Sequence, residues 1–222
     1  MVFLGYDPRQ PVAYQVAAHS VWASAHSPVS VTRLDLPQLP ITRKGLTNFT
    51  YSRFLCPYLS DFDGVSIFLD ADVLVRGDVA ELLAYPLMEP KVPVFVVQGS
   101  KRFEWASVMV FNNKLCQMLT PAHIQNPKLN PLKFEWCHAV GKLPPEWNHL
   151  VGYDAPNPDA KLIHFTAGIP VWPETKDCEF SAEWWAAYKE SKGTVDFQTL
   201  MGHSVHIPLV KSGLKYVEKV GS

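Results

Sequence analysis

One stretch constrains the fold of this chain more than any other. The eleven residues 65–75 read Val-Ser-Ile-Phe-Leu-Asp-Ala-Asp-Val-Leu-Val. An apolar run without polar alternation is typical of a strand that is buried on both faces of a sheet. The run leads into Asp70 and Asp72, and side chains two residues apart in an extended segment lie on the same side of it. The stretch therefore predicts a central strand that ends in two carboxylates facing one space.

The two carboxylates favour a metal site. At the end of a buried strand they repel each other and lose hydration, and a divalent cation that both of them face relieves this cost. Ligands of open α/β sheets bind at the carboxyl ends of the strands. In the alternative interpretation, Asp70 and Asp72 only cap the next turn. However, Asp78-x-x-Glu81 is a capping-box pattern ahead of Leu82, so Asp78 already has that role.

The order of the elements predicts an α/β fold. A strand at residues 2–5, a helix at 11–25 and a strand at 29–32 form a β-α-β beginning, which is typical of a mostly parallel, Rossmann-like sheet flanked by helices. Further strands are predicted at 92–97, 106–111 and 161–165, and further helices at 49–59, 79–84, from Thr120-Pro121 onward, and at 181–192. We expect a single domain over residues 1–175, with a C-terminal helix and tail over 176–222 that pack on it or extend from it.

The bulk properties exclude several classes of protein. The 222 residues are 47% hydrophobic with a net charge of -1, so no basic excess indicates a nucleic-acid or anionic-membrane partner. No apolar run has membrane-spanning length, and the first residues lack the basic flank and the apolar length of a signal peptide. The four cysteines are widely spaced, which favours free thiols over a zinc site or disulfides. We therefore expect a cytoplasmic protein without a transmembrane segment.

A histidine far along the chain extends the candidate metal site. His164 closes the strand predicted at 161–165 and leads into a turn. A histidine at a strand end is more often a hydrogen-bonded structural residue, and that alternative stays open. Two carboxylates and one imidazole suit Mg²⁺ or Mn²⁺, and the nitrogen ligand favours Mn²⁺. Such an ion would bridge a diphosphate and stabilise its departure as a leaving group.

Several motifs, taken in order, resemble the family-8 glycosyltransferases, which include the glycogenins and bacterial lipopolysaccharide galactosyltransferases. Residues 51–55 (Tyr-Ser-Arg-Phe-Leu) and 67–82 are similar to the helix and Asp-x-Asp segment of that family's donor site. Residues 143–148 (Leu-Pro-Pro-Glu-Trp-Asn) are similar to its Leu-Pro-x-x-x-Asn stretch. His164-Phe165 followed by Trp172 resembles its closing His-aromatic…Trp motif.

The resemblance implies a GT-A fold and a retaining, Mn²⁺- or Mg²⁺-dependent transfer of sugar from a nucleotide-diphosphate donor, a UDP-sugar, to an acceptor hydroxyl that is not identified. Carried over residue by residue, the metal ligands are Asp70, Asp72 and His164. The donor-binding residues are Tyr6 and Asp7 on the base side, Arg53 on the phosphate or sugar side, and Ser107. Asp7 before Pro8 also suits a plain turn residue, and Arg53 a surface ion pair.

The chain departs from the family pattern at three places. Pro170 replaces the lysine before the closing tryptophan, and Trp105-Ala106-Ser107 replaces Asn-x-Gly. The downstream Asp-Gln-Asp is missing, and Glu135 in Phe134-Glu135-Trp136 is the candidate for an acceptor-facing carboxylate. These departures leave open the acceptor, the stereochemical outcome and transfer itself.

Two alternative functions remain at this point. A module that binds the nucleotide-sugar without transferring it would explain the missing lysine and Asp-Gln-Asp. A phosphatase of the haloacid-dehalogenase type would explain the apolar strand before Asp-Ala-Asp. That class needs a later paired-carboxylate motif, and Asp154 and Asp159 lie in a proline-rich stretch instead.

Overall fold

A six-stranded sheet forms the centre of the fold. The computed structural model describes residues 1–99 and 101–191. The strands of these residues, in chain order, are β1 (Val2–Gly5), β2 (Val31–Leu34), β3 (Val65–Leu69), β4 (Val73–Val75), β5 (Val94–Val97), β6 (Val108–Asn112), β7 (Val140–Leu143), β8 (His149–Leu150) and β9 (Leu162–His164). The six-stranded sheet has the order β2-β1-β3-β6-β5-β7, and β6 alone runs against the others. The prediction of a mostly parallel sheet is confirmed.

Helices cover this sheet. The α-helices of the described residues are α1 (Pro11–Ser24), α2 (Phe49–Ser52), α3 (Cys56–Leu59), α4 (Ala84–Met88), α5 (Pro121–Gln125) and α6 (Ser181–Ser191). Short 3-10 turns lie at Leu36–Gln38, Arg53–Leu55, Val79–Leu83, Arg102–Ala106, Asn113–Leu115, Pro131–Lys133 and Pro145–Trp147. The helix predicted over 49–59 is thus three short pieces. The two predicted caps are confirmed, because the Asp78 side chain accepts from Ala80 N–H and the Thr120 side chain from His123 N–H.

The central apolar run is not one strand. β3 ends at Leu69, the chain bends at Ala71 and Asp72, and β4 joins a second sheet of order β4-β9-β8. The prediction of one extended segment through both carboxylates is therefore wrong. The physical reason is hydrogen bonding: the last main-sheet bond is donated by Asp70 N–H to Ser107 O at 2.9 Å, and the bend at Ala71 and Asp72 lets β4 pair with β9.

Burial on both faces of β3 is confirmed. Ile67 and Leu69 pack in one hydrophobic cluster with Val21 of α1. Phe68, on the opposite face, packs in a second cluster with Phe54. Each side chain is at most 2% exposed, which explains why the run has no polar alternation.

The last described helix packs against the first. Trp184 and Trp185 of α6 are buried, and Gln15 Nε2 of α1 donates to Ser191 O at 2.8 Å. The helix predicted over 181–192 is confirmed as far as Ser191. The part of the predicted C-terminal segment (176–222) that follows residue 191 lies outside the described residues.

Two further features bear on the expectations from composition. All four cysteines carry free thiols. Within the part of the chain that the structure describes, no helix is both long and apolar enough to cross a bilayer.

Gly5→Ala is expected to destabilise the fold beside the cavity described below. A Cβ at Gly5 would lie 2.7 Å from Cγ of the buried Phe49 ring, so the ring or β1 must move. Overpacking of this kind costs about 1–3 kcal/mol. Urea titration should show a lower midpoint with an unchanged slope.

The matched control is Gly99→Ala. A Cβ there meets no atom within 4 Å, so the free energy of unfolding should stay close to wild type. Equal midpoints for the two variants would contradict the close contact between Gly5 and Phe49.

Candidate metal centre and adjoining cavity

Strand pairing brings three of the predicted residues together. Asp70, Asp72 and His164 each offer one ligand atom, and these atoms lie within 4.8 Å of one another. The β4–β9 ladder produces this proximity, because Val73 pairs with His164 and Phe165 N–H donates to Asp72 O at 2.9 Å. Asp70 reaches the same place from the end of β3. The three side chains thus meet where the two sheets adjoin.

Arg53 is the buried partner of Asp70. Its Nη1 lies 3.0 Å from Asp70 Oδ1 and donates to Ala106 O at 2.8 Å. Its guanidinium carbon lies 5.0 Å from the Phe68 ring centroid, a cation–π distance. Arg53 is only 7% exposed, so the alternative of a surface ion pair is wrong. Its charge offsets the cost of burying Asp70.

The two aspartates differ in protonation energetics. Burial raises the pKa of Asp70, and Arg53 only partly opposes this. Burial also raises the pKa of Asp72, but the nearby His164 lowers this pKa by more than burial raises it, so the net shift is downward. The Asp72 side chain is also 33% exposed. Both Oδ1 atoms are buried, and among the described residues they have ion-pair neighbours, Arg53 for Asp70 and His164 for Asp72, but no hydrogen bond. Two such oxygens suit a cation.

His164 is oriented by Asn148. Asn148 Nδ2 donates to Glu104 O at 3.3 Å, which turns its Oδ1 toward His164 Nδ1 at 3.0 Å. A neutral imidazole therefore carries its proton on Nδ1, and the Nε2 lone pair faces Asp72 Oδ1 at 3.4 Å. Burial lowers the pKa of His164, but Asp72 and Asp70 outweigh burial and raise it. The ring is both a hydrogen-bonded core histidine and a possible ligand.

The sequence did not indicate Glu104 as a site residue. It lies in the 3-10 turn Arg102–Ala106 and is buried. Its Oε2 accepts from Ser107 Oγ at 2.6 Å and lies 3.7 Å from His164 Nδ1, while its Oε1 accepts from Thr166 Oγ1. The turn has no hydrophobic period, so no sequence signal marked it. Asn148 was within the Leu-Pro-x-x-x-Asn stretch, without an assigned role.

A cavity of about 610 Å³ adjoins the candidate ligands. Its described lining residues are Asp7, Arg9, Gln10, Ala13, Leu46, Thr47, Phe49, Ala71, Asp72, Thr166, Ala167, Gly168, Trp172, Glu174 and Thr175. The carboxylates in this lining are Asp7, Asp72 and Glu174, and Arg9 is the only lysine or arginine in it. The formal charge of these four groups is therefore -2.

The predicted donor residues after β1 are placed differently. Asp7 lines the cavity and binds Arg9, whose Nε and Nη2 donate to its oxygens at 2.9 and 2.6 Å. Burial raises the pKa of Asp7, but Arg9 lowers it more, and the carboxylate is held ionised. Tyr6 is not among the described lining residues, because its ring packs edge-on against Tyr14 with Arg33 over its face.

Two further predicted residues lie away from this cavity. Ser107 is 1% exposed, and its hydroxyl donates to Glu104. Glu135 is exposed and lines a separate cavity of about 440 Å³ with Met118 and His138. Pro170, which replaces the family's lysine, is buried, and its carbonyl accepts from Trp185 Nε1 at 3.1 Å.

Comparison with known proteins gives one relative by sequence. The chain is 31% identical over 228 residues to Protein CDI of Arabidopsis thaliana, a match that covers 82% of this chain and 83% of that protein. No protein-family profile matches the sequence.

Comparison with solved structures gives glycosyltransferases. The bifunctional glycosyltransferase WbbM has a TM-score of 0.63 at 16% identity over 91% of this chain, which spans about half of WbbM (51%). Galactosyltransferase LgtC, solved with donor and acceptor sugar analogs, has a TM-score of 0.63 at 13% identity, with 89% of this chain and 98% of LgtC covered. GlyE of Streptococcus pneumoniae TIGR4 has a TM-score of 0.60 at 16% identity, with 94% of this chain and 64% of GlyE covered.

These structures establish the fold. At such low identity the likeness shows the α/β architecture of GT-A glycosyltransferases, which confirms the predicted fold class.

Arg53→Met is expected to destabilise the protein in a pH-dependent way. Removing one member of a buried ion pair costs about 3–5 kcal/mol, because the remaining charge is unpaired. The pKa of Asp70 is already raised by burial, and losing Arg53 raises it further. A folded-state pKa above the unfolded value means that the folded state binds the proton more tightly, so the loss should shrink from pH 8 to pH 6. Urea titration with EDTA at both pH values measures this.

The control is the double variant Arg53→Met/Asp70→Asn. Because the Asp70 charge that Arg53 balances is also removed, the double variant should recover part of the stability and lose the pH dependence that Asp70 causes. A loss that is equal at both pH values and is not recovered in the double variant would show that Arg53 acts through packing alone.

Proposed function

The chain belongs to the family of Protein CDI of Arabidopsis thaliana, and we propose that it is a metal-dependent glycosyltransferase that moves a sugar from a nucleotide-diphosphate donor to an acceptor hydroxyl. The observation that carries this proposal is the meeting of Asp70, Asp72 and His164 beside a cavity large enough for a small ligand. The GT-A architecture supports it, since LgtC, which shares this architecture, binds donor and acceptor sugar analogs.

The charge of the cavity supports metal dependence. A nucleoside diphosphate is an anion, and a lining of formal charge -2 would repel it. Arg9 is the only lysine or arginine in the described lining, and it is already paired with Asp7. A divalent cation would supply the missing positive charge. The donor therefore needs an ion as its partner in binding.

The residues present suit such an ion. Oδ1 of Asp70 and of Asp72 are buried without a hydrogen bond, and their charged neighbours are Arg53 Nη1 at 3.0 Å and His164 Nε2 at 3.4 Å, respectively. Two carboxylate oxygens and one imidazole nitrogen suit Mn²⁺, with Mg²⁺ as the alternative. We assign these three side chains as its ligands. When bound, the ion would neutralise the charge that develops on the departing diphosphate.

The remaining lining residues would position the donor. We assign Asp7 and Arg9, beside the end of β1, to the nucleoside, and Trp172 to stacking on a ring of the donor. Arg53 takes a different part from the predicted one, because it is engaged with Asp70 and would hold that ligand in place. Catalysis by such a site is mainly a matter of orientation and electrostatics. The retaining outcome and the UDP-sugar donor are proposed on the family-8 resemblance.

A second candidate is a module that binds the nucleotide-sugar without transferring it. The buried Pro170 favours it, since the family's lysine at that place would add one positive charge at the leaving group. Hydrolysis of the donor separates the two candidates. A transferase should slowly hydrolyse a UDP-sugar in the presence of Mn²⁺, whereas a binding module should show affinity and no turnover.

Asp72→Ala is expected to abolish Mn²⁺-dependent binding of UDP. The change removes one proposed ligand of the ion, and without the ion the diphosphate loses the positive charge that would offset the negative cavity. Isothermal titration of UDP with and without Mn²⁺ measures the loss, and Mn²⁺-dependent thermal stabilisation by a panel of nucleotide-sugars identifies the donor.

The matched control is Asp159→Ala, at an exposed position outside the cavity lining. It should bind UDP and Mn²⁺ like the wild type. Unchanged affinity in Asp72→Ala would refute the proposed metal site.

A further inference from the structure

We infer that Glu104 is a positioning residue of the metal centre, which holds His164 and completes the negative charge that selects a divalent ion. This inference rests on the metal site of the proposed function and adds a residue that the resemblance to family 8 does not supply. Glu104 does not line the 610 Å³ cavity, so it acts through its neighbours.

The burial of Glu104 needs an explanation. Its side chain is only 10% exposed, and a buried carboxylate is costly unless its charge is offset. Two hydroxyl groups, of Ser107 and Thr166, satisfy its oxygens as hydrogen-bond donors. Within the described residues, no lysine or arginine lies at ion-pair distance, and the charged neighbour is His164 at 3.7 Å. The nearest source of positive charge for Glu104 is therefore the metal centre that contains His164.

The formal charges around His164 match a divalent ion. Asp70, Asp72 and Glu104 contribute -3, and Arg53 contributes +1. With a neutral His164 the cluster has a net charge of -2, which one divalent cation neutralises. Without Glu104 the net charge would be -1.

Glu104 also acts on the orientation of the imidazole. Its backbone carbonyl accepts from Asn148 Nδ2, and this fixes the amide whose Oδ1 faces His164 Nδ1. Its carboxylate lies on the same, Nδ1 side of the ring, opposite the Nε2 atom that faces Asp72. Negative charge behind a histidine ligand makes the ligand nitrogen more basic and holds the ring in place.

Glu104 connects the centre to the cavity as well. Thr166, which donates to Glu104 Oε1, is among the residues that line the cavity. The Glu104 carboxylate therefore contacts both Thr166, in the turn after β9, and His164, the last residue of β9. A change at Glu104 is expected to reach the ion and the cavity wall together.

The test compares Glu104→Gln and Glu104→Asp with the wild type, using Mn²⁺ alone as the probe. Electron paramagnetic resonance of free Mn²⁺ gives the affinity, and melting in EDTA gives the stability of the apoprotein. Losing a residue that supports a metal ligand typically weakens metal affinity about 10- to 100-fold, and we expect this for Glu104→Gln. Glu104→Asp keeps the charge and is expected to bind Mn²⁺ more tightly than Glu104→Gln. Glu89→Gln, at an exposed position, is the matched control and should bind like the wild type.

Each outcome decides the inference. Wild-type Mn²⁺ affinity in Glu104→Gln overturns the inference. It is also overturned if Glu104→Gln and Glu104→Asp lose the same affinity and lower the apoprotein melting temperature equally, since that pattern marks a purely structural residue. Should Glu104→Gln not fold, Thr166→Val removes one hydroxyl that holds the carboxylate, and unchanged Mn²⁺ affinity in that variant overturns the inference.

The same experiment separates this inference from the proposed function. Mn²⁺ binding that Asp72→Ala removes and Glu104→Gln retains would leave the metal site standing and reject only the role of Glu104. Absence of Mn²⁺ binding in the wild type, or equal binding in Asp72→Ala, would reject the metal site and this inference with it.

Discussion

The pairing of β4 with β9 is the constraint on which the candidate site depends. It places Val73 opposite His164 and thereby brings together residues that lie more than ninety positions apart in the sequence. Neither strand is long, and both are buried. The free energy that keeps an imidazole beside two carboxylates therefore comes mainly from backbone hydrogen bonds and apolar packing. The site is costly to assemble, and the small second sheet offsets that cost.

The carboxylates of the candidate metal centre are not fully balanced by nearby positive charge. Burial disfavours the charged form of Asp70 at the end of β3, and Arg53 and His164 compensate only in part. Natural proteins rarely retain buried charge of one sign without a use for it. In this chain the excess faces a cavity that is itself negative, so ion and anionic ligand would each favour the binding of the other.

Much of the architecture could be predicted because the burial of β3 leaves a direct record in the sequence. A strand covered on both faces must be apolar throughout, and residues 65–69 are nearly so. The caps at Asp78 and Thr120 were predictable for a similar reason, since one side chain satisfies one local N–H group. The edge strand β7 was missed, because its half-exposed residues show no period. β2 begins two residues later than predicted.

The candidate site was predictable only in part. Asp70, Asp72 and His164 are marked by strand ends and by the family resemblance, but the argument from an extended segment was wrong, since the chain bends between the two aspartates. The burial of Arg53 and Glu104 left no local pattern, because long-range contacts with Asp70 and Thr166 decide it. Tertiary neighbours, and not spacing along the chain, determine which charged groups a fold encloses.

The change of sheet between Asp70 and Asp72 has a mechanical consequence. Asp70 follows β3 of the six-stranded sheet and Asp72 precedes β4 of the three-stranded sheet, so a cation bound by both would link the two sheets. Movement of one sheet relative to the other would then lengthen the distances between the cation and its ligands. A bound cation would therefore stiffen the junction between the two sheets, in addition to the apolar packing of Ile67 and Leu69 with Val73 and Leu162.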